Sequence, residues 1–404
     1  MGSRLQFVEA GSRPGANISA LCREHGISRQ TGHKWLQRYR ESGYAGLEER
    51  SRRPRSSPGK TGHEVVASVL ALRKQHPSWG PRTLALVLAR ELGEDVPSQA
   101  TVARLLKSAG KIRERRPPVR VWHVAERPQV EVHGANDLWT IDFKGWWRAK
   151  NGERCEPLTV RDAHSRMVLA VAVVAKTNGA VVRRVLEGLF QKHGTPLAML
   201  MDNGAPWVST RSRAGLTRLS AWLVTLGIKL HRSRPGSPQD NGGHERMHRD
   251  LNELRLLPAR SRRSQQPLCD RWALDFNHLR PHQALEDRTP VEVYGRPSPR
   301  LPVARVPVYP AGCITRRVLS SGEITLNGDR VAIGRALVGQ LVGLRYESGL
   351  RWRAWFFESD LGTIEIAGHD LIDTELVQSA DVVPAATVAI PVNPNEGGAV
   401  SGHR

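Results

Sequence analysis

The chain has 404 residues, enough for several hydrophobic cores, and 60 Lys and Arg against 39 Asp and Glu give it a formal net charge of +21. This excess of positive charge indicates a polyanionic partner. The longest apolar run, Met167 to Ala175, is nine residues long, too short to span a membrane, and the four cysteines are too scattered for a disulfide framework or a cysteine zinc site. Since no charged-then-apolar signal region opens the chain, we expect a cytoplasmic protein without a membrane partner.

The N-terminal segment, residues 1–47, has the pattern of a helix-turn-helix. Ile18 to His25 is short and amphipathic, Gly26 provides a turn, and Ser28 is a suitable N-cap for a second helix. Arginine and glutamine side chains suit the guanine and adenine edges of the DNA major groove. The exposed face of the second helix is therefore predicted to bind DNA, through Arg29, Gln30, His33 and Lys34. A small three-helix bundle with a basic face is the alternative interpretation.

Two features predict local irregularity in this segment. Gly32 lies inside the second helix, where glycine costs about 1 kcal/mol relative to alanine, so we expect a short or irregular helix. The breakers from Arg13 to Gly15 leave the first helix of the bundle poorly defined in the sequence.

A basic linker and a second helical unit follow. The linker, residues 48–61, is rich in Ser, Pro and Arg and is expected to be unstructured when free. The unit, residues 62–110, contains three helical patterns, Glu64–Gln75, Arg82–Leu92 and Ala100–Ala109, and resembles another helix-turn-helix. Either it reads a second part of a long DNA site, or it serves only as a packing module.

A proline-broken basic arm, residues 111–135, leads to the next domain. Phosphate contacts are predicted for Arg115, Arg116 and Arg120. Such contacts add affinity for DNA and carry little sequence information. The alternative is a solvated tether.

The central region, residues 136–296, opens with three consecutive strand patterns and continues with alternating helices and strands. The strand patterns are Leu138–Phe143, Glu156–Arg161 and Met167–Lys176. They are followed by helix Gly179–His193, strand Pro196–Met201, helix Leu216–Leu226, strand Ile228–Arg234 and a helix that begins near Glu245. This order predicts an α/β domain with a mixed sheet and helices on its faces.

Three carboxylates of this region lie at positions where they could bind a metal ion. Asp142 lies within an apolar strand pattern, and Asp202 follows another at a turn. Glu245 lies near the start of a helix whose apolar face includes Met247 and Leu251. Glu245 is two residues before Met247, which is about 200° around the helix, so it points away from that face. An ionised carboxylate among apolar strand residues is costly unless it is paired or coordinates a metal. Two strand-borne acids and one helix-borne acid suit hard divalent cations such as Mg²⁺.

Three motifs surround these acids. They are Trp139-Thr-Ile-Asp142-Phe-Lys144, Asp202-Asn-Gly204, and Pro235-Gly-Ser-Pro-Gln-Asp-Asn-Gly242 followed by His244-Glu-Arg-Met-His-Arg249. Together they resemble the Asp-Asp-Glu transposases of bacterial insertion sequences, and the resemblance extends from the N-terminal region to about residue 370. It implies a ribonuclease H-like core of the retroviral-integrase type, in a bacterial, nucleoid-associated protein.

The resemblance also implies a mechanism. Asp142, Asp202 and Glu245 would be the catalytic residues and would hold two Mg²⁺ ions about 3.5–4 Å apart, for which Mn²⁺ can substitute. The enzyme would bind the terminal inverted repeats of its element, free 3′-hydroxyl ends and join them to target DNA, as a homo-oligomer in a synaptic complex. Further DNA contacts are predicted at Lys144, His248 and Arg249.

Two functions from other classes are the alternatives. One is a DNA-binding regulator with an inactive integrase core, against which the presence of all three acids argues. The other is a zinc metalloprotease, because His244-Glu-Arg-Met-His248 matches the His-Glu-x-x-His pattern and Glu253 is a conceivable third ligand. The protease interpretation leaves Asp142 and Asp202 unexplained.

The spacing of the acids departs from many members of the resembled family. The 42 residues between Asp202 and Glu245 form a longer spacing than in many relatives, with the excess placed in a polar loop, Val208 to Thr217. Such an insertion is expected to change little in the sheet. After the acids, Phe276–His282 and Thr289–Tyr294 are expected to close the core, or to bring Arg280 or His282 near phosphate.

The last part of the chain changes to short β patterns. Over residues 308–370, turn signals at Gly322, Asn327-Gly328 and Ser348-Gly349 separate five or six strands. We predict a small β-barrel comparable to the integrase C-terminal domain, with a role in DNA binding, in assembly or as a structural cap. Residues 371–404 are expected to be a disordered tail.

Overall fold

The structure is a computed structural model that describes residues 2–49, 61–112, 130–234 and 241–365. The chain divides into two compact units, Met1–Gly62 and His63–Arg404. Several sequence predictions lie outside the described residues: most of the linker, the arm with Arg115, Arg116 and Arg120, and the tail. Within the described ranges, no helix is both long enough and apolar enough to cross a membrane.

The first unit is a bundle of three helices. They are α1 (Gly2–Gly11), α2 (Ile18–Glu24) and α3 (Arg29–Ser42). The Ser28 hydroxyl accepts a hydrogen bond from the Thr31 N–H at 3.2 Å, which is the N-cap predicted for the second helix of the motif. The helices enclose a core of Phe7, Val8, Cys22, Leu36 and Leu47. Because Phe7 and Val8 belong to α1, the helix that the sequence left undefined is part of this core.

Gly32 is a close-packing position in α3. A Cβ at residue 32 would lie 2.5 Å from Cys22 Sγ and 2.7 Å from Phe7 Cζ. The expectation of a short or irregular helix is therefore wrong, because α3 runs through Gly32 without a break. The missing side chain lets the helices approach closely, and the resulting burial offsets the roughly 1 kcal/mol that glycine costs in a helix.

The second helical unit opens the second compact unit and packs on the central region. It consists of α4 (His63–Gln75), α5 (Pro81–Leu92) and α6 (Gln99–Ser108). The Ser78 N–H donates to the Glu253 carboxylate at 3.2 Å, and the Arg82 guanidinium donates to the Asp287 carboxylate at 2.5 and 3.3 Å. At least part of the role of this unit is therefore packing.

The central region is built on a six-stranded mixed sheet. Its strands are β1 (Leu138–Phe143), β2 (Trp147–Arg148), β3 (Arg154–Asp162), β4 (Val168–Val174), β5 (Ala198–Met201) and β6 (Lys229–Arg232). The order is β2-β3-β1-β5-β6, and β4 also pairs with β3. β1 is antiparallel to β3 and parallel to β5, and β5 is parallel to β6. The mixed sheet is confirmed, whereas the short β2 was not predicted.

Helices cover both faces of this sheet. They are α7 (Gly179–His193), α8 (Arg218–Thr225), α9 (Gly242–Leu256), α10 (Arg262–His278) and α11 (Pro290–Tyr294). Trp139 and Ile141 of β1 pack against α7 and α8, and Thr140 between them faces α9. Because side chains alternate along a strand, Asp142 belongs to the α9 face.

The segments after α9 close the core. The Arg280 guanidinium donates to the Asp250 carboxylate of α9 and lies over the Phe276 ring. The Tyr294 hydroxyl donates to Asn136 Oδ1 at 2.8 Å, which ties α11 to the start of β1. Both contacts support the expectation that these segments close the core.

The C-terminal strands form two antiparallel sheets. The strands are β7 (Cys313–Arg317), β8 (Glu323–Leu326), β9 (Asp329–Ala332), β10 (Leu341–Ser348), β11 (Arg351–Phe356) and β12 (Ser359–Glu365). One sheet has the order β12-β11-β10-β7, and β8 pairs with β9 as a hairpin. Both sheets share one apolar core, which includes Ile324 and Phe356. The number of described strands and the turns between them agree with the prediction. No strand of one sheet pairs with a strand of the other among the described residues, so a closed barrel is not seen.

The polar loop from Val208 to Thr217 joins the C-terminal sheets to the core. Arg213 Nη1 donates to the carbonyl oxygens of Leu361 and Thr363, both at 3.2 Å. Leu216, at the end of the loop, is buried in the apolar core of the C-terminal sheets. This loop therefore has an anchoring role that the sequence did not indicate.

Candidate active site

The two strand-borne acids meet at one edge of the sheet. β1 and β5 are parallel, with Leu138 opposite Ala198 and Thr140 opposite Leu200. The same register, continued to the carboxyl end of β5, brings Asp142 beside Asp202. Backbone N–H groups orient both carboxylates: Phe143 N donates to Asp142 Oδ1 at 2.8 Å, and Gly204 N donates to Asp202 Oδ1 at 3.1 Å.

The helix-borne acid reaches the same place from α9. Met247 and Leu251 bury the apolar face of α9 against β4 and α10. Glu245 lies in the first turn and is exposed, as its position on the helix predicted. The three acids that the sequence analysis selected are therefore supplied by β1, the end of β5 and the start of α9.

Asp142 has an unusual electrostatic environment. Its pKa is raised to about 7, first by burial and next by the negative charge of Asp202, with a smaller contribution from Glu245. The Phe143 N–H and the Lys144 ammonium lower the pKa of Asp142 and do not cancel the increase. This concentration of negative charge favours a bound cation over three free carboxylates.

The donor atoms fit a divalent metal. Ligand atoms of Asp142, Glu245 and His248 all lie within 4.8 Å of one another, and this is the one such group that the described ranges contain. Asp202 is outside that group, although its charge acts on Asp142. Carboxylate oxygens are the ligands that Mg²⁺ prefers, so the residues present fit the ion that the sequence predicted.

Two histidines of α9 and two threonines of the sheet form a buried hydrogen-bond network beneath the acids. Thr140 Oγ1 contacts His244 Nδ1 at 2.7 Å, and Thr159 Oγ1 contacts His244 Nε2 at 2.6 Å and His248 Nε2 at 2.7 Å. The Thr159 hydroxyl also donates to the Asp142 carbonyl oxygen at 2.9 Å. This network fixes the first turns of α9 against β1 and β3.

Both imidazoles are neutral at pH 7. Burial, and to a smaller extent the Lys144 charge, lowers the pKa of His248 to about 3. Burial likewise holds the pKa of His244 well below its usual range. The 3.8 Å contact between His248 Nδ1 and Asp142 Oδ2 is therefore not an ion pair.

The predicted phosphate contacts of the core lie in different environments. Lys144 is half-buried, and the charges of Glu245 and Asp142 act on it. Arg249 is exposed on α9, whereas His248 is buried, with 5% of its surface exposed. In the first compact unit, the predicted DNA contacts all lie exposed on α3, at Arg29, Gln30, His33 and Lys34.

The zinc pattern does not assemble a zinc site. Both ring nitrogens of His244 are engaged by Thr140 and Thr159. Glu253, the conceivable third ligand, accepts a hydrogen bond from Ser78 instead. The shared helical spacing of the two histidines therefore serves packing against β3.

Sequence reasoning missed Thr159 and Arg161, which face α9 from β3. Arg161 is 5% exposed, and burial lowers its pKa to about 10, with the neighbouring Arg166 charge as the next cause. Polar residues two apart in a strand that is otherwise apolar were the available signal, because they share one face. Their partner on α9 was not identifiable without the fold.

Family models match most of the chain. A helix-turn-helix domain matches residues 3–55, a homeodomain-like domain matches residues 31–106, and integrase core domains match residues 132–238 and 226–290. An uncharacterized 31.7 kDa protein of insertion element IS407 from Burkholderia multivorans is 29% identical over 244 residues, which cover 59% of this chain and 83% of that protein. An uncharacterized 39.2 kDa protein of insertion element IS476 from Xanthomonas euvesicatoria is 28% identical over 277 residues, which cover 67% and 76%.

Solved structures of viral integrases are also similar. The catalytic core domain of HTLV-2 integrase in complex with magnesium has 16% identity and a TM-score of 0.29, with 41% of this chain and 98% of that chain covered. A chain of the simian T-cell lymphotropic virus intasome in complex with PP2A regulatory subunit B56 gamma has 15% identity and a TM-score of 0.34, with 74% and 99% covered. Because these TM-scores are low, the integrase core in this chain is indicated by the family models and by the insertion-element proteins.

Proposed function

Because this chain is an integrase-core transposase of an insertion element, we propose that it binds the terminal inverted repeats of its element, cleaves to free 3′-hydroxyl ends and joins them to target DNA. The observation that carries the proposal is the convergence of acidic groups: ligand atoms of Asp142 and Glu245 lie within 4.8 Å of each other, and burial, together with the charges of Asp202 and Glu245, raises the pKa of Asp142 to about 7. Neighbouring like charges in a partly buried site are costly unless they serve a cation.

In this proposal, Asp142, Asp202 and Glu245 hold two divalent cations. When bound, Mg²⁺ or Mn²⁺ activates the attacking oxygen and stabilises the leaving oxygen of an in-line phosphoryl transfer. The chain itself orients the acids, through the Phe143 N–H on Asp142 and the Gly204 N–H on Asp202. Preorganised ligands of this kind need no rearrangement when the DNA arrives.

Basic side chains position the DNA. Lys144 lies near Glu245 and Asp142, so its ammonium is suited to a phosphate next to the scissile bond. On α3, Arg29 and Gln30 are exposed and offer donors for base edges in the repeats. We also propose Arg249 as a phosphate contact on the outer face of α9.

The assembly follows from the reaction. Joining requires two transposon ends and a target to be held together, and this favours a homo-oligomer in a synaptic complex. The C-terminal sheets, which share one core, would act as an integrase-type C-terminal domain in that complex. Since the substrate is bacterial DNA, we propose a cytoplasmic, nucleoid-associated location.

A strand-cleavage assay tests the proposal. The purified chain is incubated in Mg²⁺ with labelled DNA that carries the flanking inverted repeats, beside Glu245→Gln and the exposed control Glu187→Gln on α7. Nicking at the repeat boundary and joining to target should fall at least roughly 10²-fold in Glu245→Gln and persist in the control. Asp202→Asn should lose cleavage in the same way and still bind the repeats.

Repeat binding without cleavage, in Mg²⁺ and in Mn²⁺, would contradict the proposed chemistry. The chain would then be a DNA-binding regulator with an inactive core. Cleavage that survives both Asp202→Asn and Glu245→Gln would contradict the assignment of these acids.

A further inference from the structure

His248 presents a ring nitrogen to the acidic site. Its Nδ1 lies 3.8 Å from Asp142 Oδ2, and its ligand atom lies within 4.8 Å of those of both Asp142 and Glu245. The ring is buried, with 5% of its surface exposed, and is held edge-to-face against His244 at 4.6 Å between centroids. Its orientation toward Asp142 is therefore set by packing.

The hydrogen-bond network determines which nitrogen of His248 carries the proton. The Thr159 hydroxyl has one hydrogen, which it donates to the Asp142 carbonyl oxygen at 2.9 Å. Its contacts with His244 Nε2 and His248 Nε2, at 2.6 and 2.7 Å, then require both rings to donate. If Thr159 donated to a ring instead, its oxygen and the Asp142 carbonyl oxygen would face each other without a hydrogen.

The other end of the network agrees with this assignment. The Thr140 hydroxyl lies 2.7 Å from His244 Nδ1 and 3.4 Å from the Arg161 carbonyl oxygen, and its one hydrogen, given to the nearer acceptor, suits a ring whose own hydrogen is on Nε2. In the same tautomer, His248 has a free lone pair on Nδ1. That lone pair faces the Asp142 carboxylate, so two acceptors point at each other across 3.8 Å.

We propose that His248 Nδ1 is a metal ligand, which together with Asp142 and Glu245 completes one cation position with a nitrogen donor. The inference rests on the proposed function, since it concerns the same site. The separation of 3.8 Å is too long for a hydrogen bond. It fits two ligands of one ion, because metal–ligand distances of about 2.0–2.2 Å allow a separation of up to roughly 4.3 Å.

A nitrogen donor changes the choice of metal. Mg²⁺ prefers oxygen ligands and near-ideal octahedral geometry, whereas imidazole also suits transition metals. The position that His248 completes should therefore favour Mn²⁺ over Mg²⁺ relative to a site made of carboxylates alone. Thr159 is a positioning residue in this arrangement, because its hydroxyl keeps the hydrogen on Nε2.

Pulsed electron paramagnetic resonance of bound Mn²⁺ tests the nitrogen directly. The full chain is loaded with Mn²⁺ alone, in unlabelled form and with ¹⁵N-histidine. A directly bound imidazole couples its nitrogen spin to Mn²⁺, so the coupling should change from ¹⁴N to ¹⁵N on labelling and disappear in His248→Phe. Mn²⁺ affinity should fall about 10-fold or more in His248→Phe, and less in Thr159→Val, with a smaller change in Mg²⁺ affinity.

The outcomes separate this inference from the proposed function. Bound Mn²⁺ that depends on Glu245 and shows no nitrogen coupling would overturn the role of His248 and leave the acidic site standing. Nitrogen coupling in a chain that does not cleave repeat DNA would support the ligand and contradict the proposed function. No Mn²⁺ binding in the wild-type chain would overturn both. Because the isotope experiment uses the wild-type sequence, it does not depend on whether a variant folds.

Discussion

The guanidinium of Arg161 lies where a side chain on Gly243 would be. A Cβ at residue 243 would come within 2.6 Å of Arg161 Nη1 and within 3.3 Å of Arg161 Cζ. Arg161 is almost completely buried, so it has little room to move aside. Since Gly243 precedes Glu245 by two residues in the first turn of α9, this contact sets how closely the Glu245 end of the helix approaches β3.

Gly243→Ala should therefore displace the start of α9. We expect a loss of about 1–3 kcal/mol in the free energy of unfolding and a fall in strand cleavage, both measured on the full chain. Gly242→Ala is the matched control, because nothing lies within 4 Å of a Cβ at residue 242. Equal stability of the two variants would mean that Arg161 moves aside freely.

Gly32→Ala should weaken the helix-turn-helix bundle. The new methyl group would meet Cys22 Sγ at 2.5 Å and Phe7 Cζ at 2.7 Å, inside a packed core. Hydrogen exchange of the α3 amides should become faster, and affinity for the terminal repeats should decrease, although the substitution favours helix formation locally. Gln37→Ala, on the exposed side of α3, is the control for hydrogen exchange and should leave the exchange rates nearly unchanged. Slower exchange in Gly32→Ala would contradict the close packing.

Arg213→Ala should loosen the C-terminal sheets. The guanidinium donates to the carbonyl oxygens of Leu361 and Thr363, and its loss leaves both without this donor. We expect β12 to become more sensitive to limited proteolysis, while the core sheet stays protected. Arg211→Ala removes the same charge from an exposed position of the same loop, and it should not alter the digestion. The anchoring role fails if both variants are digested at the same rate.

Acid should destabilise the core through His282. Burial, and next the Arg280 charge, lowers the pKa of this histidine from 6.5 to about 3. Because the folded chain releases the proton more readily than the unfolded chain, stability is complete above pH 6.5 and decreases as the pH falls toward 3. The decrease from this residue should be at most about 1.4 kcal/mol per pH unit.

Denaturant unfolding at pH 7 and pH 5 measures this effect. His282→Phe keeps an aromatic ring beside Phe276 and removes the titrating group, so the difference between the two pH values should shrink. His282 Nε2 is also buried without a hydrogen-bond partner among the described residues, so the substitution should cost little at pH 7. An unchanged pH dependence in His282→Phe would assign the acid sensitivity to other groups.

Local patterns were sufficient to predict the main elements and to select three acids, whose catalytic role stays a prediction. Strand β1 and helix α7 have the bounds that the sequence predicted, because an apolar run and a helical period are both properties of consecutive residues. Asp142 was recognisable since a carboxylate inside such a run needs a partner. Glu245 was recognisable because helical geometry turns it away from Met247.

The contacts between distant segments required the tertiary structure. The strand β2 has two residues, too few for a period, and exists because β3 offers it a partner. Gly32 destabilises an isolated helix, whereas in the packed bundle it allows the helices to approach closely. Only the positions of Cys22 and Phe7 show that the second effect applies.

The sequence by itself determined the types of charged residue: two strand-borne acids, one helix-borne acid and a basic chain around them. The tertiary structure decided which neutral groups support those acids. Thr159 and His248 are 89 positions apart and meet only because β3 and α9 pack together. Residue types and local periods specify secondary structure and charge. The direction of the His248 Nδ1 lone pair depends instead on hydrogen-bond partners that folding brings from distant parts of the chain.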